Sequence, residues 1–314
     1  YEKNLVTIDD IATIISDKSK VSIYEVLSDN KKVVEIMKKD LQESIIGQDE
    51  VIDKLLMLAK KIKLGFLKEN KCYSFLFVGS SGIGKTKLAK IFGKHLVGID
   101  NVIKIDMSEF SEPHSISKFL GSPPGYVGYE NNNTILEEIR NKPNSVIIVD
   151  EIEKASKEVT SLFYQILEDG KIKDSKGKEV YFEHSIIIFT SNIGYLTNDI
   201  GFNSNKDNRK LKEEFSVPFI NRIDSVIKFN KLTKEDITKI IHNQINDIKN
   251  KYKKYDIEIK EDIYDKIINL SEYEDFGARK IDKIIKDEVE NKIIDAIIEE
   301  KDNIIIGDEK KVNI

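Results

Sequence analysis

One segment of the sequence has the residue types and spacing of a phosphate-binding loop. Two glycines flank four residues, and Lys and Thr follow the second glycine. The glycines let the backbone curl so that its N–H groups point at phosphate oxygens, and the helix that follows adds its positive end. We expect Lys85 to contact the β- and γ-phosphates of a nucleotide and the Thr86 hydroxyl to bind Mg²⁺. The loop consists of Gly79, Ser80, Ser81, Gly82, Ile83, Gly84, Lys85 and Thr86.

Two adjacent carboxylates end an apolar run further along the chain. Residues 146–149 are Val-Ile-Ile-Val, and Asp150 and Glu151 follow directly. At the end of a buried strand, Asp150 is expected to hold Mg²⁺, directly or through water. Glu151 is expected to orient and polarise an attacking water, which favours hydrolysis over transfer to another acceptor. An acidic strand end is common by itself, but the loop upstream makes a nucleotide-hydrolysing site the better interpretation.

Another apolar run ends in the polar residues Thr190, Ser191 and Asn192. Asn192 can reach the γ-phosphate or the water if its strand lies beside the strand of the phosphate-binding loop. An ordinary turn is the alternative interpretation of such a strand end. The order along the chain, with the loop first, the acidic strand second and this strand third, favours a place in the same site.

Short apolar runs that alternate with helical stretches would position these residues. The runs at 74–78, 102–105, 145–149 and 185–190 are nearly continuous, as buried parallel strands are. This alternation predicts an α/β fold with a parallel sheet flanked by helices.

The alternation of apolar runs and helical stretches ends after residue 230, and we divide the chain into three parts. Residues 41–230 are predicted to form a large nucleotide-binding domain, and residues 231–314 a smaller, mainly helical C-terminal domain. Thr233 and Asp236 have the spacing of a helix-capping pair at the start of the second domain. Residues 1–40 are predicted to form short helices, and the chain is expected to be part of a longer protein because it begins without Met.

The composition is that of a globular protein with enough apolar residues for a sizeable core. The 314 residues are 40% hydrophobic and 33% charged, with a formal net charge of −5. This balance does not indicate a nucleic-acid or membrane surface, and no apolar run approaches the ~20 residues of a membrane span. The single cysteine, Cys72, is expected to be a small buried residue.

The order of the motifs resembles that of Clp-family AAA+ ATPases, and most closely the second ATPase domain of ClpA/ClpC-type protease-partner chaperones. The resemblance runs from about residue 41 to the end, and it implies that residues 1–40 are a helical junction to a preceding domain. It implies an AAA+ P-loop NTPase that binds ATP or ADP with Mg²⁺, and a C-terminal lid domain. Further segments that carry it are Ile46-Gly47-Gln48-Asp49, Asp106-Met107-Ser108-Glu109-Phe110, Phe219-Ile220-Asn221-Arg222-Ile223-Asp224 and Gly277-Ala278-Arg279.

The resemblance also implies roles for residues whose types alone say little. Arg222 resembles the arginine finger that reaches the ATP of a neighbouring subunit, and Arg279 the second sensor that reaches the γ-phosphate from the lid. Ile45 and Ile46 resemble part of the adenine pocket. Because a finger supplied across an interface makes hydrolysis depend on assembly, a homo-hexameric ring is implied. Lys280 departs from the family, in which many members have Pro, so the helix start there is expected to differ.

A glycine-flanked aromatic segment resembles the family's pore loop. It comprises Gly125, Tyr126, Val127 and Gly128. Its glycines make the backbone pliable, and the Tyr side chain can grip an unfolded protein by apolar contact without reading its sequence. A Pro/Gly turn with a surface Tyr is the alternative. Residues 169–178 are expected to form a second, polar pore loop.

An apolar tripeptide between polar residues resembles the segment that docks family members on the Clp peptidase ring. It comprises Ile200, Gly201 and Phe202. Apolar residues in a polar loop are best explained by a partner that buries them. A local tether onto the domain's own surface is the alternative.

The main hypothesis is an ATP-dependent protein unfoldase and translocase that feeds a Clp peptidase. Adaptors are expected to bind regions outside this chain, and neither nucleic acid nor membrane is an expected partner. A ClpB-type disaggregase that works without a peptidase is the nearest alternative. A nucleic-acid remodeller and a non-catalytic binding module are alternatives from other classes. The family implies the bacterial cytoplasm, or an organelle stroma or matrix, as the compartment.

Overall fold

The computed structural model of the chain describes residues 6–7, 10–11, 13–14, 30–64, 71–122, 134–193, 215–301 and 303–307. Contacts within the chain divide it into two compact units. Unit 1 comprises Tyr1–Ile45, Asp49–Gly79 and Lys85–Phe229, and unit 2 comprises Ile46–Gln48, Ser80–Gly84 and Asn230–Ile314. The main junction between the two units lies next to residue 230. Most of the phosphate-binding loop belongs to unit 2.

The parallel sheet predicted from the apolar runs is confirmed in unit 1. Its described strands are β1 (Tyr73–Val78), β2 (Val102–Asp106), β3 (Val146–Asp150), β4 (Lys171–Lys173), β5 (Glu179–Tyr181), β6 (Ile186–Ser191) and β7 (Ser225–Lys228). Among the described residues, five of them form one parallel sheet in the order β2-β3-β6-β1-β7. The inner strands are buried almost throughout, as expected where both faces of a sheet are covered.

Helices of unit 1 cover this sheet and connect its strands. Helix α6 (Lys157–Asp169) shows how local sequence sets their ends. The Ser156 hydroxyl accepts from the backbone N–H of Val159 at 3.4 Å, and Gly170 ends the helix at φ 67°. Helix α1 crosses the boundary that was predicted at residue 40. The described helices are α1 (Asn30–Ser44), α2 (Asp49–Lys63), α3 (Lys85–Val97), α4 (Ile116–Leu120), α5 (Ile135–Asn141), α6 (Lys157–Asp169) and α7 (Val217–Arg222), with short 3₁₀ helices at Ile99–Asn101, Met107–Phe110, Pro113–Ser115 and Ile152–Lys154.

The sequence patterns missed two features of unit 1. Strand β7 lies at one edge of the sheet, and Ile227 is its one buried residue, so no apolar run marks it. Strands β4 and β5 form an antiparallel hairpin within residues 171–181, where the expected polar pore loop lies. Each strand has three residues with one buried side chain, which is too short for an alternation pattern to stand out.

A ladder of aromatic rings packs one face of the sheet against α6 and α7. Phe163 of α6 lies edge-on to both Phe119 and Phe189, with ring centroids 5.4 Å apart in each pair. Phe189 of β6 makes the same edge-on contact with Phe219 of α7, also at 5.4 Å. These rings are buried, and edge-to-face pairs add about 0.5–1.5 kcal/mol each beyond burial. The ladder therefore connects strand β6, which Asn192 follows, to the helix that carries Arg222.

Unit 2 is mainly helical, as predicted. Thr233 and Asp236 form a capping box at the start of α8, and Ile237, Ile241 and Ile245 of its apolar stripe are buried. Several helical segments lie between its two parallel strands, and a π-helical turn occupies Lys286–Glu290. The described elements are α8 (Lys234–Lys251), β8 (Asp256–Ile259), α9 (Glu261–Ser271), α10 (Tyr273–Phe276), α11 (Ile281–Ile285), α12 (Asn291–Ile298) and β9 (Asn303–Ile306). None of the helices in the described part of the chain has the length and apolar character to cross a membrane.

Candidate functional site

The amide of Asn192 connects the phosphate-loop lysine to the acidic strand end. Lys85 Nζ donates to Asn192 Oδ1 at 2.9 Å, and Asn192 Nδ2 donates to Glu151 Oε1 at 3.1 Å. Lys85 Nζ also donates to the backbone carbonyl of Gly79 at 2.7 Å. Strands β1 and β6 are direct parallel neighbours, which was the condition set for Asn192 to reach this site. The three residues therefore lie together at the carboxyl ends of the strands.

The Asp150 carboxylate is held on both of its oxygens. Oδ1 accepts from the hydroxyls of Thr86 at 2.7 Å and Thr190 at 2.6 Å, and Oδ2 lies 2.8 Å from Lys104 Nζ. Burial raises the pKa of Asp150, but the hydrogen bonds from Lys104, Thr190 and Thr86 outweigh it and bring the pKa below its ordinary value. The hydrogen bond to Asp150 in turn raises the pKa of Lys104. The carboxylate is thus ionised and fixed in direction.

The adjacent Glu151 has an unusual backbone conformation. Its φ is 55°, in the left-handed region, which costs a non-glycine residue roughly 1–2 kcal/mol. Its backbone N–H donates to Thr190 Oγ1 at 3.0 Å, and its Oε2 is paired with the ammonium of Lys154. The strained turn directs Asp150 and Glu151 to different partners although they are neighbours in the chain. Backbone strain of this kind concentrates at functional sites.

Glu153 holds the backbone at the end of β6. Its Oε1 accepts from the backbone N–H of Asn192 at 2.9 Å. Its Oε2 is buried without a hydrogen-bond partner among the described residues. Leaving a buried carboxylate oxygen unpaired costs free energy. The hydrogen bond from the Asn192 N–H to Glu153 Oε1 is therefore a specific constraint on where Asn192 lies.

The side chain of Arg222, at the end of α7, is held by contacts with other residues of unit 1. Its Nε is paired with the carboxylate of Glu168 on α6, and its guanidinium lies 4.4 Å from the centre of the Tyr164 ring. Nη1 donates to the carbonyl of Pro218 at 3.1 Å. The side chain remains 28% exposed, so the charge lies at the surface in a defined direction.

The central part of the phosphate-binding loop packs against the segment that carries Arg279, and both belong to unit 2. The backbone N–H of Ala278 donates to the Gly82 carbonyl at 2.9 Å. A Cβ at Gly82 would lie 2.2 Å from the carbonyl oxygen of Phe276, and a Cβ at Gly277 would lie 2.8 Å from the carbonyl oxygens of Ser81 and Gly82. Both glycines have positive φ, 74° and 57°. Only glycine fits this close approach of two backbones.

The remaining expected site residues fall in both units. Arg279 is exposed in unit 2, and its neighbour Lys280 precedes the first residue of α11 and pairs with Glu272 at 2.8 Å. Ile45 is buried in unit 1, whereas Ile46 belongs to unit 2 and is half-buried.

Two sets of predicted residues lie outside the described residues. One is the segment Gly125, Tyr126, Val127 and Gly128, and the other is Ile200, Gly201 and Phe202. The structure describes only their flanks. Before the first segment, the carbonyl of Leu120 accepts from the backbone N–H of Ser175 at 3.0 Å, in the hairpin turn.

The oxygen atoms of Thr86 and Asp150 fit a magnesium ion. Thr86 Oγ1 and Asp150 Oδ1 lie 2.7 Å apart, and Mg²⁺ prefers such hard oxygen ligands together with substrate phosphates and water. The hydroxyl that donates to Asp150 keeps its lone pairs for a cation.

Sequence reasoning missed several residues of the site. Lys104, Glu153, Lys154 and Glu168 were not singled out, and Thr190 was named without its role as the bridge between Asp150 and the Glu151 backbone. A signal existed for Lys104, because it is a charged residue at the centre of β2 with the apolar Ile103 and Ile105 on either side. Its partner could not be read from that pattern.

Two known families match adjacent parts of the chain. Residues 70–226 match the family described as "AAA domain (Cdc48 subfamily)". Residues 232–312 match the family described as "C-terminal, D2-small domain, of ClpB protein". The two matches together cover the phosphate-binding loop, the acidic strand, Asn192, Arg222 and Arg279.

Curated relatives of two kinds are similar to the chain. It is 36% identical over 307 residues to the "ATP-dependent Clp protease ATP-binding subunit ClpE" of Lactococcus lactis subsp. lactis, covering 94% of the chain and 41% of the relative. It is 39% identical over 308 residues to the "Chaperone protein ClpB" of Clostridium tetani, covering 94% of the chain and 36% of the relative. The chain thus spans less than half the length of these relatives.

A solved structure has the same fold. The chain is 30% identical, with a TM-score of 0.78, to a chain in a closed-state cryo-EM reconstruction of Hsp104 with ATPγS and FITC casein, covering 94% of this chain and 53% of that one. From the two family matches, this structural likeness and the geometry at the strand ends, we conclude that the chain belongs to the AAA domain family and is a second ATPase domain of the Clp-family AAA+ ATPases.

Proposed function

We propose that the chain binds ATP with Mg²⁺ and hydrolyses it to drive the unfolding and translocation of proteins. The observation that carries the proposal is the Asn192 amide, which joins Lys85 and Glu151 through two hydrogen bonds. A group that contacts both the phosphate-binding lysine and the water-activating carboxylate can sense the γ-phosphate and pass that information to Glu151. A polar network that only stabilised the fold would not require an amide between the phosphate-loop lysine and the carboxylate.

In the proposed reaction, Glu151 accepts a hydrogen bond and then a proton from the attacking water. The water oxygen bonds to the γ-phosphorus as the bond from the γ-phosphorus to the bridging oxygen breaks, which leaves ADP and phosphate. Lys85 and the N–H groups of the phosphate-binding loop, Gly79 to Thr86, neutralise the phosphate oxygens. Thr86 and Asp150 would hold Mg²⁺, which neutralises charge on the β- and γ-phosphates. Ile45 and Ile46 would line the adenine pocket, and Arg279 would contact the γ-phosphate.

Arg222 is proposed to complete the site of a neighbouring copy in a homo-hexameric ring. Its partial exposure and its fixed direction, set by Glu168 and Tyr164, support a surface charge that is kept ready for an anion. Arginine fingers contribute ~10³–10⁵ in rate in other NTPases. Hydrolysis would therefore depend on assembly.

Unfolded polypeptide is the proposed substrate, and Tyr126 the residue that grips it. The hairpin β4–β5 supports this, because its turn is anchored to the chain just before residue 123. Ser175 bonds to Leu120, and Arg140 of α5 donates to Asp174 in the turn at 2.7 Å. The hairpin turn is thus joined to α4 through Leu120 and to α5 through Arg140.

Two uses of this motor remain as candidates. The tripeptide Ile200, Gly201 and Phe202 and the ClpE relative favour a partnership with a Clp peptidase. The ClpB relatives and the ClpB small-domain match favour a disaggregase. Cytoplasm is the compartment that we propose for either, and adaptors would bind parts of the protein beyond this chain.

The experiment is ATP turnover combined with degradation of an unfolded casein probe, with and without a Clp peptidase. The parent chain, Tyr126→Ala and a deletion of residues 200–202 are compared. We expect Tyr126→Ala to hydrolyse ATP but not to translocate casein, and the deletion to lose only the stimulation by peptidase. Unchanged degradation by the deletion variant would favour the disaggregase, and unchanged translocation by Tyr126→Ala would contradict the proposed grip.

A further inference from the structure

Lys104 lies at an unexpected place for a lysine, at the centre of a strand beside the candidate magnesium carboxylate. It is in register with Ile148 of β3, two residues before Asp150. Its ammonium lies 2.8 Å from Asp150 Oδ2, and the side chain of Lys104 is 35% exposed while that of Asp150 is 12% exposed. The lysine thus reaches inward from the edge of the sheet to a mostly buried carboxylate.

Three carboxylates and two lysines lie around this contact. Asp106 and Asp150 are register partners at the carboxyl ends of β2 and β3, and Glu151 follows Asp150 directly. Lys104 pairs with Asp150, and Lys154 pairs with Glu151. Each of the two adjacent carboxylates therefore has its own lysine.

A divalent cation that approached Asp150 would meet different conditions on its two oxygens. Within the part of the chain that the structure describes, Oδ1 accepts from the neutral hydroxyls of Thr86 and Thr190, whereas Oδ2 is already paired with the cation of Lys104. Coulomb repulsion from an ammonium so close opposes a second cation, and it is only weakly screened where the pair is partly buried. Nucleotide phosphates would bring the negative charge that offsets this repulsion.

We infer that Lys104 is a resident counter-ion, which keeps divalent cations out of the site until a nucleotide brings them in. This rests on the proposed role of Asp150 beside the magnesium ion. Without Lys104, the carboxylates of Asp106, Asp150 and Glu151 would face one lysine instead of two. The two hydroxyls would still hold Asp150 in place, so the change would be mainly one of charge.

The test is a titration of nucleotide-free protein with Mn²⁺, in which free Mn²⁺ is followed by electron paramagnetic resonance. Lys104→Met removes the charge and the hydrogen bond, Lys104→Gln removes only the charge, and Lys104→Arg keeps both. Lys142→Met is the matched control, because Lys142 is 33% exposed in unit 1 and pairs with Glu138 at 2.9 Å. Circular dichroism of each variant verifies folding.

We expect the Met and Gln variants of Lys104 to bind Mn²⁺ at least about tenfold more tightly than the parent, since one unit charge close to the cation has been removed. Lys104→Arg and Lys142→Met should bind as the parent does. If Lys104→Gln, which keeps a donor for Asp150, binds no more tightly than the parent, the inference is wrong. Equal tightening in Lys104→Arg would also overturn it, because packing and not charge would then be the cause.

A second titration with ADP present separates this inference from the proposed function. The parent chain should bind Mn²⁺ together with ADP, and the difference between the parent and Lys104→Gln should shrink. Failure of the parent to bind Mn²⁺ with ADP would contradict the nucleotide site itself, whatever the nucleotide-free titration gives.

Discussion

Lys85 and Asn192 are 107 positions apart in the chain, yet their side chains are joined by a hydrogen bond of 2.9 Å. The contact exists because β1 and β6 are parallel neighbours, so that the residues following each strand meet at one edge of the sheet. Glu151 follows β3, the next strand of the sheet, and joins the same group through Asn192. The order of the strands thus assembles three distant motifs into one site.

Glu151→Gln should separate nucleotide binding from hydrolysis. The amide keeps the shape of the side chain but does not polarise a water as a carboxylate does, so kcat should fall by about 10²–10⁴-fold. ATP affinity, measured by equilibrium titration with a fluorescent analogue, should change little because Lys85 and the loop are intact. Hydrolysis at the parent rate would exclude Glu151 as the activating group.

Thr190→Val should weaken the site by removing a hydroxyl that holds Asp150 and the backbone of Glu151. The buried hydroxyl donates to Asp150 Oδ1 at 2.6 Å and accepts from the backbone N–H of Glu151 at 3.0 Å, and valine replaces it with a methyl group. Because the Asp150 carboxylate is buried and the Glu151 N–H is partly buried, we expect a loss of about 1–3 kcal/mol in the free energy of unfolding, together with lower ATP turnover.

Thr190→Ser is the control for this change, because it keeps the hydroxyl. Urea unfolding and ATP turnover of the two variants can be compared directly. Equal behaviour of Thr190→Val and Thr190→Ser would mean that the bridge contributes neither stability nor rate.

Gly277→Ala should weaken nucleotide binding by roughly tenfold or more, which is about 1.4 kcal/mol. The new Cβ would lie 2.8 Å from the carbonyl oxygens of Ser81 and Gly82, so the phosphate-binding loop must shift. Gly177→Ala is a matched control, since its φ is also positive, at 77°, and no atom lies within 4 Å of the added carbon. Calorimetric titration with ADP measures both, and equal affinities would show that the packing of the loop does not matter for binding.

Asp174→Asn should reduce stability near neutral pH but not in acid. Burial raises the pKa of Asp174, but its bond to Arg140 and the backbone N–H groups of Lys178 and Lys176 bring it below its ordinary value of 3.8. A lowered carboxyl pKa gives stability that is present above the unfolded value and is lost as pH falls through the folded one. The parent should therefore lose this stability below about pH 4, and the variant should lack that step.

Thermal unfolding between pH 3 and pH 7 measures this difference. The exposed Asp265→Asn changes the charge by the same amount and serves as the control. A constant gap between the parent and Asp174→Asn at every pH would mean that the ionised carboxylate is not what holds the hairpin turn.

The features that were predictable from sequence are those with local signals. The loop from Gly79 to Thr86 has fixed spacing, and continuous apolar runs mark the buried strands β1, β3 and β6. Parallel neighbours then place their ends together, so Asp150, Glu151 and Asn192 could be assigned to one site before any geometry was known.

Features that depend on partners far apart in the chain were not predictable. The pairs Lys104–Asp150 and Arg222–Glu168 join residues of different elements. The local sequence around a charged residue does not identify which distant residue it will pair with. The φ of 55° at Glu151 is imposed by its surroundings and has no local signal, unlike a glycine. Strand β7 is short and half-exposed, and its pairing with β1 defines it.

The central claim is that one copy's Glu151 hydrolyses ATP with the help of another copy's Arg222. The most direct measurement mixes two inactive variants, Glu151→Gln and Arg222→Ala, and follows ATP turnover. In random mixed rings at equal amounts, about a quarter of the interfaces would unite an intact Glu151 with an intact Arg222. We predict that the mixture recovers about a quarter of the parent's turnover, whereas a mixture that is no more active than the separate variants would contradict the account.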